Sequence, residues 1–176
     1  MKNRSTKNLV LAGICLAFCV VLPFFTGQIP AIGKVISPMH IPALLCGFLC
    51  GWPYALVVGF IAPLLRYLMF GMPPMPSALI MAVELAAYGF FSSVIYNKLP
   101  KNTVNIYISL IAAMLGGRVV WGVASFAVYT INGSGFTFAA FLAGAFTKAI
   151  PAIIIHILLI PVIVMGLKRA GIIENA

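Results

Sequence analysis

Residues 37–74 read SPMHIPALLCGFLCGWPYALVVGFIAPLLRYLMFGMPP, and this stretch decides the fold. Two apolar runs, Ile41–Cys50 and Tyr54–Phe70, flank Gly51-Trp52-Pro53, a tripeptide suited to a tight turn and not to a continuing helix. The second run carries one charge, Arg66. At about 1.5 Å of rise per residue it spans most of a hydrocarbon layer roughly 30 Å thick, whereas the first run covers only about half of it. Gly71-Met72-Pro73-Pro74-Met75-Pro76 then ends the second helix, since consecutive prolines cannot donate into a helical ladder. The stretch therefore reads as a short and a long intramembrane helix joined by a hairpin turn.

The rest of the chain has the same character. Of its 176 residues 63% are hydrophobic and 7% charged, against roughly 25% charged in a soluble domain, which identifies an integral membrane protein. Further spans are expected at Asn8–Phe25, Ala78–Asn97, Val104–Thr130 and Thr137–Leu167, the last interrupted by Pro151 and Pro161, with Ser77 as helix cap for Ala78–Asn97, the fourth of the six. The basic Met1–Asn8 segment precedes an apolar run with no small-residue cleavage site, so the first span is expected to be retained. One all-α domain, residues 1–176, with six transmembrane helices results. Lys2, Arg4 and Lys7, then Lys98 and Lys101, then Lys168 and Arg169 fall on one side of such a bundle; the positive-inside rule makes that side cytoplasmic, together with both termini. The net charge of +9 is thereby a matter of topology, not of nucleic-acid binding.

Four charges remain inside the apolar spans: Arg66, Glu84, Arg118 and Lys148. Each costs at least about 2.5 kcal/mol at the bilayer centre and persists where it meets a partner, a bundle interior or a ligand. Glu84 can pair with Arg66 or with Arg118, or it can accept a hydroxyl or amide of a ligand. It cannot neutralise three cations, so the site is expected to favour an anion. Arg66, nearest the outer surface, can also snorkel to the interface. His40, at the mouth of the long segment Gln28–His40, reads either as a ligand contact or as a cap of the short helix. Tyr67, Tyr88 and Trp121 stand within about a turn of these charges and are candidates for stacking on a ligand. His156 reads as a packing histidine or as part of a proton relay.

Cys15/Cys19 and Cys46/Cys50 are pairs four residues apart within apolar helices; without hard polar neighbours they read as small packing residues and not as a metal site. No phosphate-binding G-x-x-x-x-G-K-[ST] loop, GxSxG elbow or nucleophile–base pair is visible, so neither catalysis, nor a cofactor, nor intrinsic ATP hydrolysis is expected. In the first span Ala12, Gly13 and Ala17 put small residues together, with Gly13 and Ala17 in the small-xxx-small spacing that lets helices approach closely in lipid.

The run quoted above resembles the corresponding region of the substrate-binding S components of energy-coupling factor (ECF) vitamin transporters. It shares the long first outside loop, the short second helix and a G-x-x-x-G-x-P turn, here Gly47, Gly51 and Pro53. The likeness extends to the size, the span count and the small residues of the first helix. It implies a multi-pass protein of a prokaryotic plasma membrane that binds a vitamin or precursor near its outer face. It also implies docking on a transmembrane coupling protein and two ATPases, through a face that would include Ala12, Gly13 and Ala17; the usual A-x-x-x-A is replaced here by Gly13-x-x-x-Ala17. Residues and resemblance together lead to a pocket lined by the fourth, fifth and sixth spans beneath the first outside loop. Arg118 and Lys148 would hold an anionic group, with Glu84, Arg66, His40, Tyr88 and Trp121 around it, and pantothenate is the first-choice ligand. The alternative is a stand-alone secondary transporter of an organic anion, for which His156 and Glu84 are the available coupling-ion groups.

Overall fold

The computed structural model describes residues 2–26, 36–131, 133, 137–145 and 147–172. Among these the fold is entirely helical. Helix α1 (Lys2–Val21) runs on through a 3-10 segment, Leu22–Thr26; α2 is His40–Cys50, α3 Trp52–Phe70, α4 Met75–Lys98, α5 Thr103–Ile131, α6 Phe138–Ala145 and α7 Ile150–Arg169, with a 3-10 turn, Thr147–Ala149, between the last two. Five stretches are long and apolar enough to cross a membrane: Ser5–Phe25, α3, α4, α5 and Phe138–Arg169; α2 is apolar but shorter. Gly51, at φ +88°, makes the hairpin turn between α2 and α3 in a backbone conformation that L side chains rarely adopt.

Several local expectations change. Helix α4 begins at Met75, two residues ahead of Ser77, with Pro76 in its first turn and no side-chain cap; a proline there gives up a donor that has no helical acceptor anyway. Pro161 lies inside α7 without ending it, whereas the break in the final crossing falls before Pro151, which occupies the first turn of α7. Lys148 is therefore in the 3-10 turn between two helices and not on a continuous helix; its side chain lies outside the described residues. So do residues 27–35 of the first long loop, most of the Asn132–Gly135 turn, and Glu174.

The core forms where α2, α3 and α4 meet. In lipid there is no hydrophobic force between helices, and close van der Waals packing takes its place. Gly59 on α3 lies directly against the Leu85 backbone of α4, with no room for a methyl group; a Cβ on Gly47 would stand 2.6 Å from the Gly89 carbonyl, and one on Gly89 would stand 2.8 Å from that of Ala55. Leu44, Leu85, Tyr88, Ile106, Leu110 and Ile160 fill the centre, with the four unbridged cysteines buried around α1 and α2.

One end of the bundle gathers the basic segments. Lys7 Nζ donates to the Ile172 carbonyl (2.8 Å), Lys168 Nζ to that of Lys101 (2.6 Å), and the Asn8 side-chain amide to that of Cys50 (3.2 Å). The amino-terminal segment, the α2–α3 turn, the α4–α5 loop and the end of α7 thus share one end, as the distribution of lysines and arginines requires.

Candidate functional site

Helix α2 is short, so its first residue, His40, stands deep in the bundle, beside α4. There it meets α5 and α7. Arg118 Nη1 donates to Glu84 Oε1 at 3.0 Å, and His40 Nε2 approaches the same oxygen at 3.5 Å, short of a well-formed hydrogen bond. The His40 ring sits edge-on to Tyr88, centroids 5.2 Å apart, and stacks on His156 of α7 at 5.9 Å with 18° between planes. His40, Glu84, Tyr88 and His156 are each at most 4% exposed. Tyr88 lies flat against Gly117, where any side chain would strike its ring, so a glycine on α5 one position before Arg118 sets the position of the aromatic wall.

The cluster is only partly satisfied from within. Both ring nitrogens of His40, Nε2 of His156 and Nε of Arg118 are buried and have no hydrogen-bond partner among the described residues. A buried donor or acceptor left this way costs about 1–3 kcal/mol, so the constellation is poised for a polar partner. It offers donors at Arg118, a carboxylate acceptor at Glu84 and two imidazoles of either character. Arg118 also borders a cleft of about 70 Å³ whose other lining residues, Ile111, Met114, Leu115, Ala145, Ile153 and Ile157, are apolar. One turn further along α5 a wider apolar groove of about 420 Å³ runs between α5 and α6, from Val119 and Gly122 to Phe138 and Phe141.

Of the residues singled out from the sequence, the fold brings together Glu84, Arg118, His40 and Tyr88. Glu84 takes Arg118 and not Arg66. Arg66 is elsewhere: its guanidinium donates to the Val20 carbonyl and lies between the rings of Phe24 (5.0 Å) and Phe70 (5.4 Å), so it joins the carboxyl-terminal ends of α1 and α3. At 3% exposure it does not snorkel, because those rings and that carbonyl satisfy it where it is. Trp121 stacks on Phe141 (6.2 Å) and covers Gly144, which puts it in the α5–α6 seam. His156 is the addition: a buried histidine in an otherwise apolar span was the available signal, and its register with His40 could not be read from a loop of unknown course.

On α1, Gly13 and Ala17 face outward among exposed Leu9, Val10, Ile14 and Phe18, and nothing lies within 4 Å of where a Gly13 side chain would be. Ala12 turns the other way, into the core at 5% exposure.

A helical bundle of several segments long and apolar enough to cross a membrane is a multi-pass membrane protein. The family model "ECF transporter, substrate-specific component" matches residues 7–164, and the chain belongs to that family. Such components work with a small-molecule substrate, a membrane coupling protein and ATPases. Comparison with curated proteins gave no match, and comparison with solved structures gave none either.

Proposed function

We propose that this chain captures a vitamin or vitamin precursor from the outside of a prokaryotic plasma membrane and delivers it through a coupling protein and two ATPases. The observation that carries the reading is the buried Glu84–Arg118 pair with His40 held 3.5 Å from the shared oxygen. Glu84 already balances Arg118, so the ligand must offer both kinds of group: an acceptor for Arg118 and Lys148, and donors for Glu84 and the imidazoles. Pantothenate, with one carboxylate, two hydroxyls and an amide, has that complement and is the first candidate. Tyr88 forms the wall of the site and Trp121 its seam toward α6. Gly13 and Ala17 form the face for the coupling protein, and the lysine-rich end is cytoplasmic, with both termini.

The test is binding of pantothenate and of a panel of other vitamins to the purified chain, read by calorimetry and thermal stabilisation. A carboxylate-bearing vitamin is expected to bind, and Glu84→Gln is expected to weaken it. Selective binding of a permanent cation such as thiamine overturns the ligand class. The placement of His156 and Glu84 on either side of His40 keeps a second reading testable, a proton-coupled transporter of an organic anion. Accumulation of the solute by the chain alone in liposomes under a proton gradient would establish it, and binding without accumulation would support the first.

A further inference from the structure

The lysines at the basic end are arranged in a way that charge balance alone does not explain. Lys101, in the α4–α5 loop, donates to the Tyr96 carbonyl (2.8 Å) and to Asn97 Oδ1 (2.9 Å), and its ammonium lies 4.0 Å above the Tyr96 ring. Lys168, near the end of α7, reaches the carbonyl of that same Lys101. Both side chains are half-buried, and every one of these partners is neutral. Lys98 and Arg169 adjoin the same two segments in sequence, and Lys7 donates to the Ile172 carbonyl just past α7. Among the described residues no carboxylate pairs with any of these five; Glu84, the described acid, is committed to Arg118 and His40 well inside the bundle. Two cations are thus held by neutral acceptors, one on the backbone of the residue that carries the other, and Lys101 is held below the ordinary lysine value, first by burial and then by Lys168.

We infer that Lys101 and Lys168 clamp the phosphate of an anionic phospholipid headgroup in a site formed by the α4–α5 loop and the end of α7. A phosphate diester supplies acceptor oxygens for both ammonium groups at once and removes their mutual repulsion. The source follows from position. Helices α4 and α7 end at Lys98 and Arg169, and basic pockets between span ends on that side of a bilayer meet lipid headgroups before they meet solutes. The partly buried Tyr96–Asn97 shelf under Lys101 makes this a site with a floor, unlike a solvated run of lysines.

The experiment uses the full chain, stripped of lipid in a neutral maltoside detergent. Dioleoylphosphatidylglycerol and dioleoylphosphatidylcholine are titrated separately, with native mass spectrometry and thermal unfolding as readouts. Wild type is expected to bind one phosphatidylglycerol in preference to phosphatidylcholine. Lys101→Gln/Lys168→Gln is expected to weaken the phosphatidylglycerol complex about 25-fold, at roughly fivefold per lysine, and to leave phosphatidylcholine unaffected. Equal binding of the two lipids by wild type, or a preference that survives in the double variant, overturns the inference. Millimolar inorganic phosphate giving the same stabilisation without lipid overturns the lipid source and assigns the clamp to a soluble anion. Should the double variant not fold, wild type in rising salt decides: a phosphatidylglycerol preference that fades supports the clamp, and one unchanged at 1 M salt rejects it.

Discussion

The two halves of this bundle are packed by different means. Helices α2, α3 and α4 touch backbone to backbone through Gly47, Gly59 and Gly89, whereas α5 meets α6 and α7 across side chains, Gly122 against Phe141 and Gly144 against Trp121, with apolar clefts left between them. Backbone contacts have no rotamers to change, so the first half has one arrangement. Aromatic side chains can swing, so the second half can reshape at small cost. The polar cluster lies on the boundary: His40 and Glu84 come from the rigid half, Arg118 and His156 from the adjustable one. A polar cluster so divided takes half of its side chains from a fixed frame and half from one that can reshape.

The largest effect on the isolated chain is expected where the halves join. Arg118→Met leaves Glu84 buried without its cation and should destabilise the ligand-free protein by about 3–5 kcal/mol. Adding Glu84→Gln should recover part of that loss, while ligand affinity stays at least roughly 30-fold down in both variants. Thermal unfolding and calorimetry on the single and double variants check this; a double variant as unstable as the sum of its parts would dissolve the coupling between the halves.

Next comes the contrast in packing itself. Gly59→Ala must push the Leu85 backbone and should cost about 1–3 kcal/mol, whereas Gly122→Ala meets only the Phe141 ring and should cost less than about 1 kcal/mol. Equal costs in thermal melts would mean that both halves are equally rigid.

A smaller effect concerns Lys101. Its folded-state value lies below 10.5, so its charge opposes folding. That cost is fully present below the folded value and disappears as pH rises from there toward 10.5. The stability of wild type relative to Lys101→Met should therefore rise modestly over that window; a flat difference across it would show that neighbouring groups already neutralise the site. Least of all should Gly13→Trp disturb the isolated chain, since the space beside it is open. Solute binding should be unchanged, and uptake by the reconstituted complex with the coupling protein and ATPases should be lost. Matching losses of binding and uptake would place Gly13 in internal packing.

Much of this architecture was legible in the sequence because hydrocarbon is a simple solvent. Apolar length gives the spans, glycine and proline give their ends, and the scarcity of charge makes Glu84 and Arg118 conspicuous. What the chain did not disclose are angles about the helix axes. Whether Glu84 would meet Arg66 or Arg118 depends on which faces of α3, α4 and α5 turn inward, and glycines at 59 and 117 settle that through contacts between distant residues. Pro151 and Pro161 look alike as letters, yet one opens α7 and the other lies within it, since a proline's cost depends on whether its helix already has a free end at that position. Ala12 and Gly13 are likewise adjacent in the chain, yet one faces the core and the other does not, because neighbouring helical residues point about 100° apart.

The length of α2 has an electrostatic consequence. A helix that crosses a bilayer presents both of its ends to water and headgroups, which screen them. At about 16 Å, α2 starts in the interior instead, and its first residue is His40. The amino-terminal end of a helix carries the equivalent of roughly half a positive charge. Here that partial charge falls at the residue whose ring stands 3.5 Å from Glu84, and it comes from backbone amides that no change of pH can titrate. It gives the buried carboxylate of Glu84 a fixed and permanent counterweight that does not depend on the position of the Arg118 side chain.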